Sequence, residues 1–290
     1  MTTIVYYHDH CTDGYGAAFV VYKLLGTDEV EYIPCSYNTE PPLVAQYKDN
    51  NVIVVDFSFP LDVMQSIFDN ATHTTWLDHH KTAFEMFGKD INTGYTAQTD
   101  KFDIVLDNNR SGALLSYEHF FGPLDAPVMI RHIDDRDRWV FAMSGSRRFH
   151  AALQVIKPWS FKQWDELDAQ FNSDIESYNA FIELGDLLLK NERRQIESAA
   201  KRPRACSVLG HPGLAVNSTV HMSEIGHELA NASGSYGLIY YIDADNSVKC
   251  SLRSNGDYDV SIMAKYFGGG GHKNAAGFTT DLQTLQRFLT

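Results

Sequence analysis

The sequence predicts an α/β protein in which an N-terminal parallel-sheet domain is joined by a long helix to a smaller α/β domain. Three observations carry this. Short β-branched apolar runs alternate with segments of helical period through the N-terminal half. One unbroken helical pattern, Ile175 to Ala200, ends at the Lys201-Arg202-Pro203-Arg204 break. From Ala205 the texture changes to short strands around a single helix. A length of 290 residues suits two cores rather than one, and the expected boundaries are 1–175, a helical linker 176–204, and 205–290.

In chain order, Thr2 to Tyr7 is expected as a strand, and after the polar loop His8 to Gly14 the run Tyr15 to Leu25 is helical and stops near Gly26. Glu31 to Pro34 is a second strand, followed by a loop over 37–42 and a short helix from Leu43 to Lys48. The run Val52-Ile53-Val54-Val55 is continuously apolar, as strands buried on both faces of a parallel sheet are, and it ends in Asp56. Pro60 opens a helix from Leu61 to Asn70, and Thr74 to Leu77 is the strand that delivers Asp78. Phe102 to Leu106 is a further strand, with Ser111 as N-cap of a helix from Leu114 to Phe121. An apolar segment, Val128 to Ile133, leads to the acidic group Asp134, Asp135 and Asp137. Phe161 to Phe171 is helical. The C-terminal domain reads as strands CSVLG, LAVNS, LIYYI and VKCSLRS around a helix from Ser223 to Ala232.

Composition narrows the function. Hydrophobic residues at 44% and charged residues at 21% describe a globular chain, and no apolar run is long enough to span a bilayer. Met1 to Tyr7 lacks the order of a secretory signal, so a cytoplasmic location is expected. Cys11, Cys35, Cys206 and Cys250 lie far apart without CxxC spacing, which argues against a zinc finger or a disulfide framework. A net charge of −13 disfavours wrapping a long duplex but not a short phosphorylated substrate held by cations. A homodimer is compatible with the sequence.

Three consecutive strands end in polar clusters: His8 to Asp13, Asp56, and Asp78-His79-His80. In open α/β sheets ligands bind outside the carboxyl ends of the strands, so these clusters are expected to converge. His8, Asp13, Asp56, His79 and one Asp of the Asp134 to Asp137 group make an oxygen-rich donor set with imidazoles. Such a set suits two Mn²⁺ ions sharing a carboxylate, with Mg²⁺ as the alternative. Two such cations can clamp a phosphoryl group and generate a nucleophile from water. Asp78 is placed to receive the ring N–H of a neighbouring His, leaving His80 for substrate phosphate or the leaving group. Arg110 and Ser111, at a helix N-terminus, form a candidate phosphate seat. In the C-terminal domain Gly268 to Gly271 are expected to expose successive backbone N–H groups beside His272 and Lys273 as an anion cradle, with Arg253 as a further phosphate partner.

Asp78-His79-His80, with Asp56 before it and the GGGGHKNAAGF run far downstream, resembles the DHH phosphoesterase superfamily with its C-terminal DHHA1 domain. That group includes nano-RNA and pAp phosphatases, cyclic-dinucleotide phosphodiesterases and RecJ-type exonucleases. The resemblance covers nearly the whole chain. It implies a metal-dependent phosphoesterase acting on short oligonucleotides or small nucleotides, with substrate in a cleft between the domains. It also implies metal ligation by His8, Asp13, Asp56, His79 and, most nearly, Asp135, with Asp134 and Asp137 as rivals. His80 would meet phosphate, and Gly269, Gly270, Gly271, His272 and Lys273 would form the substrate loop. One departure stands out. The first motif normally offers His and two Asp, whereas here it reads HDHCTDG, with Cys11 near the position of the first Asp and Asp9 or His10 as substitutes. The competing functions are a polyphosphatase or pyrophosphatase and a nucleotide-binding sensor without turnover.

Overall fold

The computed structural model describes residues 2–36, 40–256 and 258–289, so positions 37–39 of the expected loop lie outside the described residues. The chain divides into two compact units, Met1–Asp186 and Leu187–Thr290.

The first unit runs Thr3–His8 (β1), Thr12–Leu25 (α1), Val30–Cys35 (β2), Val44–Tyr47 (α2), Asn51–Val55 (β3), Leu61–Asn70 (α3), His73–Asp78 (β4), Lys81–Met86 (α4), Tyr95–Gln98 (β5), Phe102–Leu106 (β6), Gly112–Phe121 (α5), Val128–Asp137 (α6), Ser146–Val155 (α7), Phe161–Ser173 (α8) and the first part of Ile175–Ala200 (α9). Its sheet has the order β2-β1-β3-β4-β6-β5, parallel except for the edge strand β5. Burial on both faces follows the period of two. Tyr6, Val54, Trp76 and Ile104 pack on one side with Met64 and Ile67 of α3. Val5, Tyr7, Ile53, Val55 and Leu77 pack on the other with Ala17, Ala18 and Val21 of α1. The chain leaves β1 toward β2 and returns to the other side of β1 as β3, so the reversal of strand order lies at β1 and β3, where such sheets open a crevice.

Helices α6, α7 and α8 enclose a separate apolar cluster around Phe149 and Trp164. A buried polar chain fixes α6 there. Asp135 accepts from the N–H groups of Ala142 (2.7 Å) and Met143 (3.0 Å) and from the Ser146 hydroxyl. His132 bridges Ser146 Oγ (2.9 Å) and the Tyr178 hydroxyl (2.7 Å) while stacking on Phe149. Burial pulls the His132 imidazole down from its ordinary 6.5 to about 4. Because the folded value is the lower one, this contribution to stability is complete above about pH 6.5 and is lost as the pH falls toward 4, on the order of 3 kcal/mol. Urea unfolding of wild type and His132→Gln at pH 7 and pH 4 checks this. The wild type is expected to lose more stability than the variant by about that amount, and equal losses would refute it.

The second unit takes the rest of α9 and then Arg204–Val208 (β7), His211–Asn217 (β8), Met222–Ser233 (α10), Tyr236–Ile242 (β9), Val248–Ser254 (β10), Val260–Tyr266 (α11), Gly270–His272 (β11), Ala275–Thr280 (β12) and Leu282–Phe288 (α12). The sheet order is β11-β12-β10-β9-β8-β7. Its main core lies under α11 and α12, with Val248, Cys250 and Leu252 alternating inward. Ile225 and Leu229 of α10 cover the opposite face against Ile239. No helix among the described residues is long and apolar enough to cross a membrane.

Candidate metal centre

The carboxyl ends of β1, β3 and β4 are adjacent, so the three polar clusters meet. His8 ends β1, and its Nδ1 lies 3.6 Å from Asp56 Oδ2. Asp56 follows β3 with a left-handed backbone (φ 54°), and its N–H donates to Leu77 O at 2.9 Å. That conformation is strained for most residues and tolerable for Asp. It turns the chain off the strand and leaves the carboxylate fully buried at the floor of the cluster. At the end of β4, Asp78 Oδ1 accepts from the backbone N–H groups of His79 (2.7 Å) and His80 (3.0 Å) and from the His80 Nδ1–H (2.8 Å). Asp78 thereby fixes the tautomer and direction of the His80 ring and leaves Nε2 as its outward nitrogen.

His79 Nε2 is the hub. It stands 3.0 Å from Asp56 Oδ1, 3.4 Å from Asp13 Oδ2 and 3.6 Å from Asp137 Oδ2. Three groups of donor atoms lie within 4.8 Å of one another: His8, Cys11 and Asp56; Asp56, His79 and His80; and Asp13, His79 and Asp137. Asp56 belongs to two of them.

Two glycines permit this density. A Cβ on Gly112 would stand 2.5 Å from the Asp56 Cβ, and one on Gly14 would stand 2.3 Å from His8 O. Only the absence of a side chain lets α5 and α1 approach the strand ends so closely.

The electrostatics are short of positive charge. Burial, then the Asp56 and Asp137 carboxylates, push the Asp13 carboxyl well above its ordinary range. Asp137 is raised in the same way by burial and Asp56, against the opposing pull of the histidines. Burial also works to raise Asp56, but hydrogen bonding to His79 and His8 overcomes it and brings the group down to about 2. Burial opposes charging of His79, yet the Asp56, Asp13 and Asp137 carboxylates raise it to about 10. The buried Asp56 carboxylate is met by imidazoles, Oδ1 at 3.0 Å from His79 Nε2 and Oδ2 at 3.6 Å from His8 Nδ1. Buried carboxylates crowded among mutually repelling acids and imidazoles fit divalent cations, which would neutralise the acids and be ligated by both donor types.

Three expectations are corrected. Asp135 is not in this cluster. The acidic group lies on helix α6, where Asp135 and Asp137 are about 200° apart round the axis. Asp137 therefore faces His79, while Asp135 is spent on Ala142, Met143 and Ser146. Asp134 accepts from the Ser111 N–H at 2.8 Å. Arg110 and Ser111 do not form a phosphate seat either. The anion at the N-terminus of α5 is Asp13, whose oxygens accept from the N–H groups of Gly112 (2.6 Å) and Ala113 (2.9 Å). Buried Ser111 caps Leu114, and Arg110 pairs with Asp107 and Glu118. The glycine run is a hairpin rather than an open cradle. The N–H groups of Gly268 and Gly269 go to the carbonyls of Lys265 and Ala264 at the end of α11, and Gly270 to His272 form strand β11 on β12. His272 and Lys273 are exposed at its end. Arg253 and His272 share a rung through Ala275, two strand spacings or about 10 Å apart. The Arg253 guanidinium is held by Ser223 Oγ (3.0 Å) and Leu252 O (2.9 Å).

The sequence reading did not foresee the cavity beside the first motif. A space of about 520 Å³ is lined by Tyr7, Asp9, His10, Tyr15, Lys157 and Trp159. Its walls come from β1, α1 and the loop before α8, and no local motif links segments so far apart.

Residues 213–290 match the family model of the DHHA1 domain, which bears out the DHHA1 part of the resemblance. An uncharacterised protein of Acanthamoeba polyphaga mimivirus is 29% identical over 296 residues, an alignment covering 94% of this chain and 66% of that protein. Three solved structures are similar at lower identity. A protein of Helicobacter pylori G27 is 16% identical with a TM-score of 0.44, over 97% of this chain and 94% of that one. The pGpG-specific phosphodiesterase PggH of Vibrio cholerae is 15% identical with a TM-score of 0.47, over 99% and 96%. RecJ of Thermus thermophilus in complex with Mn²⁺ is 13% identical with a TM-score of 0.45, over 98% of this chain and 50% of that one.

Proposed function

We propose that this chain, whose residues 213–290 are a DHHA1 domain, is a metal-dependent phosphoesterase of short oligonucleotides or small nucleotides. The observation that carries the reading is the convergence of Asp13, Asp56, Asp137, His8 and His79 at the ends of three adjacent strands. Two Mn²⁺ ions, or Mg²⁺, would be held by these groups and would supply Lewis acidity and a water of lowered pKa. Asp56, common to two donor groups, would be the carboxylate shared between the positions. Burial opposes protonation of His80, but Asp78 raises its pKa, which favours an Nε2–H directed at the leaving oxygen. Within the DHHA1 domain, the exposed His272 and Lys273 would be the groups offered to a phosphate.

The aromatic cavity favours nucleotides over polyphosphate. Tyr7, Tyr15 and Trp159 give apolar ring surface for a base, and Lys157, His10 and Asp9 give polar groups for its edge or sugar. A hydrolysis panel of a short RNA, a dinucleotide, cyclic di-AMP, pAp and polyphosphate, with Mn²⁺ and with excess chelator, tests the reading. Nucleotide hydrolysis that chelator abolishes is expected. Turnover of polyphosphate alone would assign the alternative function, and metal binding without turnover of any substrate would assign a sensor. In the same assay Trp159→Leu, which keeps an apolar side chain but loses the ring face, is expected to lower kcat/KM on the dinucleotide roughly 5- to 150-fold, from about 1 to 3 kcal/mol of stacking. The loss should be absent on the dinucleotide lacking one base. Equal losses on both would mean that Trp159 only supports the fold.

A further inference from the structure

The first-motif departure leaves Asp9, His10 and Cys11 as candidates for the position of an absent carboxylate, and the structure separates them. The His10 side chain is 89% exposed, and its ring pairs with the Asp9 carboxylate at 3.0 Å. Neither belongs to the donor groups found among the described residues, whereas Cys11 Sγ lies within 4.8 Å of donor atoms of both His8 and Asp56. Tetrahedral ligation of a Zn²⁺-sized dication through sulfur, nitrogen and oxygen spaces the donors about 3.3 to 3.7 Å apart. The trio, within 4.8 Å, therefore needs an inward movement of at most about 1.5 Å, which side-chain rotation covers. Cys11 is the N-cap of α1, but its side chain makes no capping hydrogen bond, a role that Ser, Thr or Asp would fill better. The second observation is Asp56 itself, 0% exposed, whose carboxylate is met among the described residues by imidazoles, with His8 Nδ1 3.6 Å from Oδ2, and which belongs to the same donor group as Cys11.

We propose that Cys11 is a sulfur ligand of this centre, so that its two positions differ in metal preference. The His8, Cys11 and Asp56 position takes a borderline-soft dication such as Zn²⁺, Fe²⁺ or Co²⁺. The Asp13, His79 and Asp137 position, built of oxygen and one imidazole, takes Mn²⁺ or Mg²⁺. Thiolate donors select the softer ions, and carboxylates suit the harder ones. On binding, the thiol releases its proton to solvent and the sulfur donates a lone pair to the cation, with no redox change. The inference rests on reading the cluster as a metal centre.

Cobalt distinguishes the two. The chelator-stripped full-length protein is titrated with Co²⁺ and followed by absorption, beside Cys11→Ser and Cys11→Asp, each checked by circular dichroism. The wild type is expected to show a sulfur-to-cobalt charge-transfer band in the near ultraviolet. Both variants should bind Co²⁺ without that band. Competition calorimetry should show Cys11→Asp losing at least about tenfold in its preference for Zn²⁺ over Mn²⁺. Cobalt bound by the wild type without the band overturns the thiolate ligand and leaves the metal centre standing. A band that persists in both variants belongs to another cysteine and also overturns it. No cobalt uptake by a natively folded wild type sinks the metal centre and the proposal together. If neither variant folds, the wild-type spectrum decides, and the Zn²⁺ dependence of Cys11 alkylation mapped by mass spectrometry identifies the sulfur: protection supports the ligand and undiminished labelling overturns it.

Discussion

Asp56→Asn is expected to lower turnover by at least about 10³, or about 4 kcal/mol in the barrier, while the fold persists. Asn tolerates the left-handed backbone at this position (φ 54°) and preserves the volume beneath Gly112. What it removes is charge and one lone-pair-bearing oxygen from a group within reach of His8, His79 and His80. If Asp56 is the shared carboxylate, metal content should fall from two equivalents toward one or none along with activity. Kinetics on the best substrate, metal analysis of the purified variant and its circular dichroism together decide this. A folded Asp56→Asn with full metal content and normal turnover would place the bridge elsewhere.

The second large effect is a dissociation between neighbours. Asp137→Asn is expected to cost about 10² to 10³ in kcat, since it removes a carboxylate 3.6 Å from His79 Nε2, with little effect on unfolding. Asp135→Ala should do the opposite. It strands the N–H groups of Ala142 and Met143 and breaks the link through Ser146 to His132, at a cost of about 2 to 4 kcal/mol. The molecules that remain folded should turn over nearly normally. Urea unfolding and active-site-normalised kinetics on both variants check the pair. The reverse pattern would restore Asp135 as the ligand and make Asp137 a solvated surface acid.

The correction at these two residues shows what kind of information a sequence carries. Their acidity and their place after an apolar run marked the group as chemical, but the rotation that sends Asp137 to His79 and Asp135 to Ala142 depends on α6 being a helix through the acids. Val128 to Ile133 is apolar enough to read as a bare buried segment, and period alone does not distinguish a short buried helix from a strand. The N-terminus of α5 makes the same point. A helix start is a ready anion site, and Ser111 as its cap was legible. That the anion is the chain's own Asp13, about 100 residues earlier, follows only from packing α1 against α5.

By itself the sequence determined the parallel strands, because Val52 to Val55 and Thr74 to Leu77 are apolar and β-branched over lengths that only a doubly covered sheet buries. It also determined that His8, Asp13, Asp56 and Asp78 to His80 would meet, because each follows a strand and adjacent parallel strands carry their ends to one edge. The DHHA1 resemblance was legible in its glycine run, although that run folds as a hairpin whose first two N–H groups are consumed by α11. Tertiary structure alone decided which of Asp9, His10 and Cys11 turns inward, which acid of α6 joins the cluster, and that Trp159 lines a cavity with Tyr7 and Tyr15. These choices depend on helix rotation and on contacts between distant segments, and such contacts are set by the packing of the whole domain rather than by any local pattern.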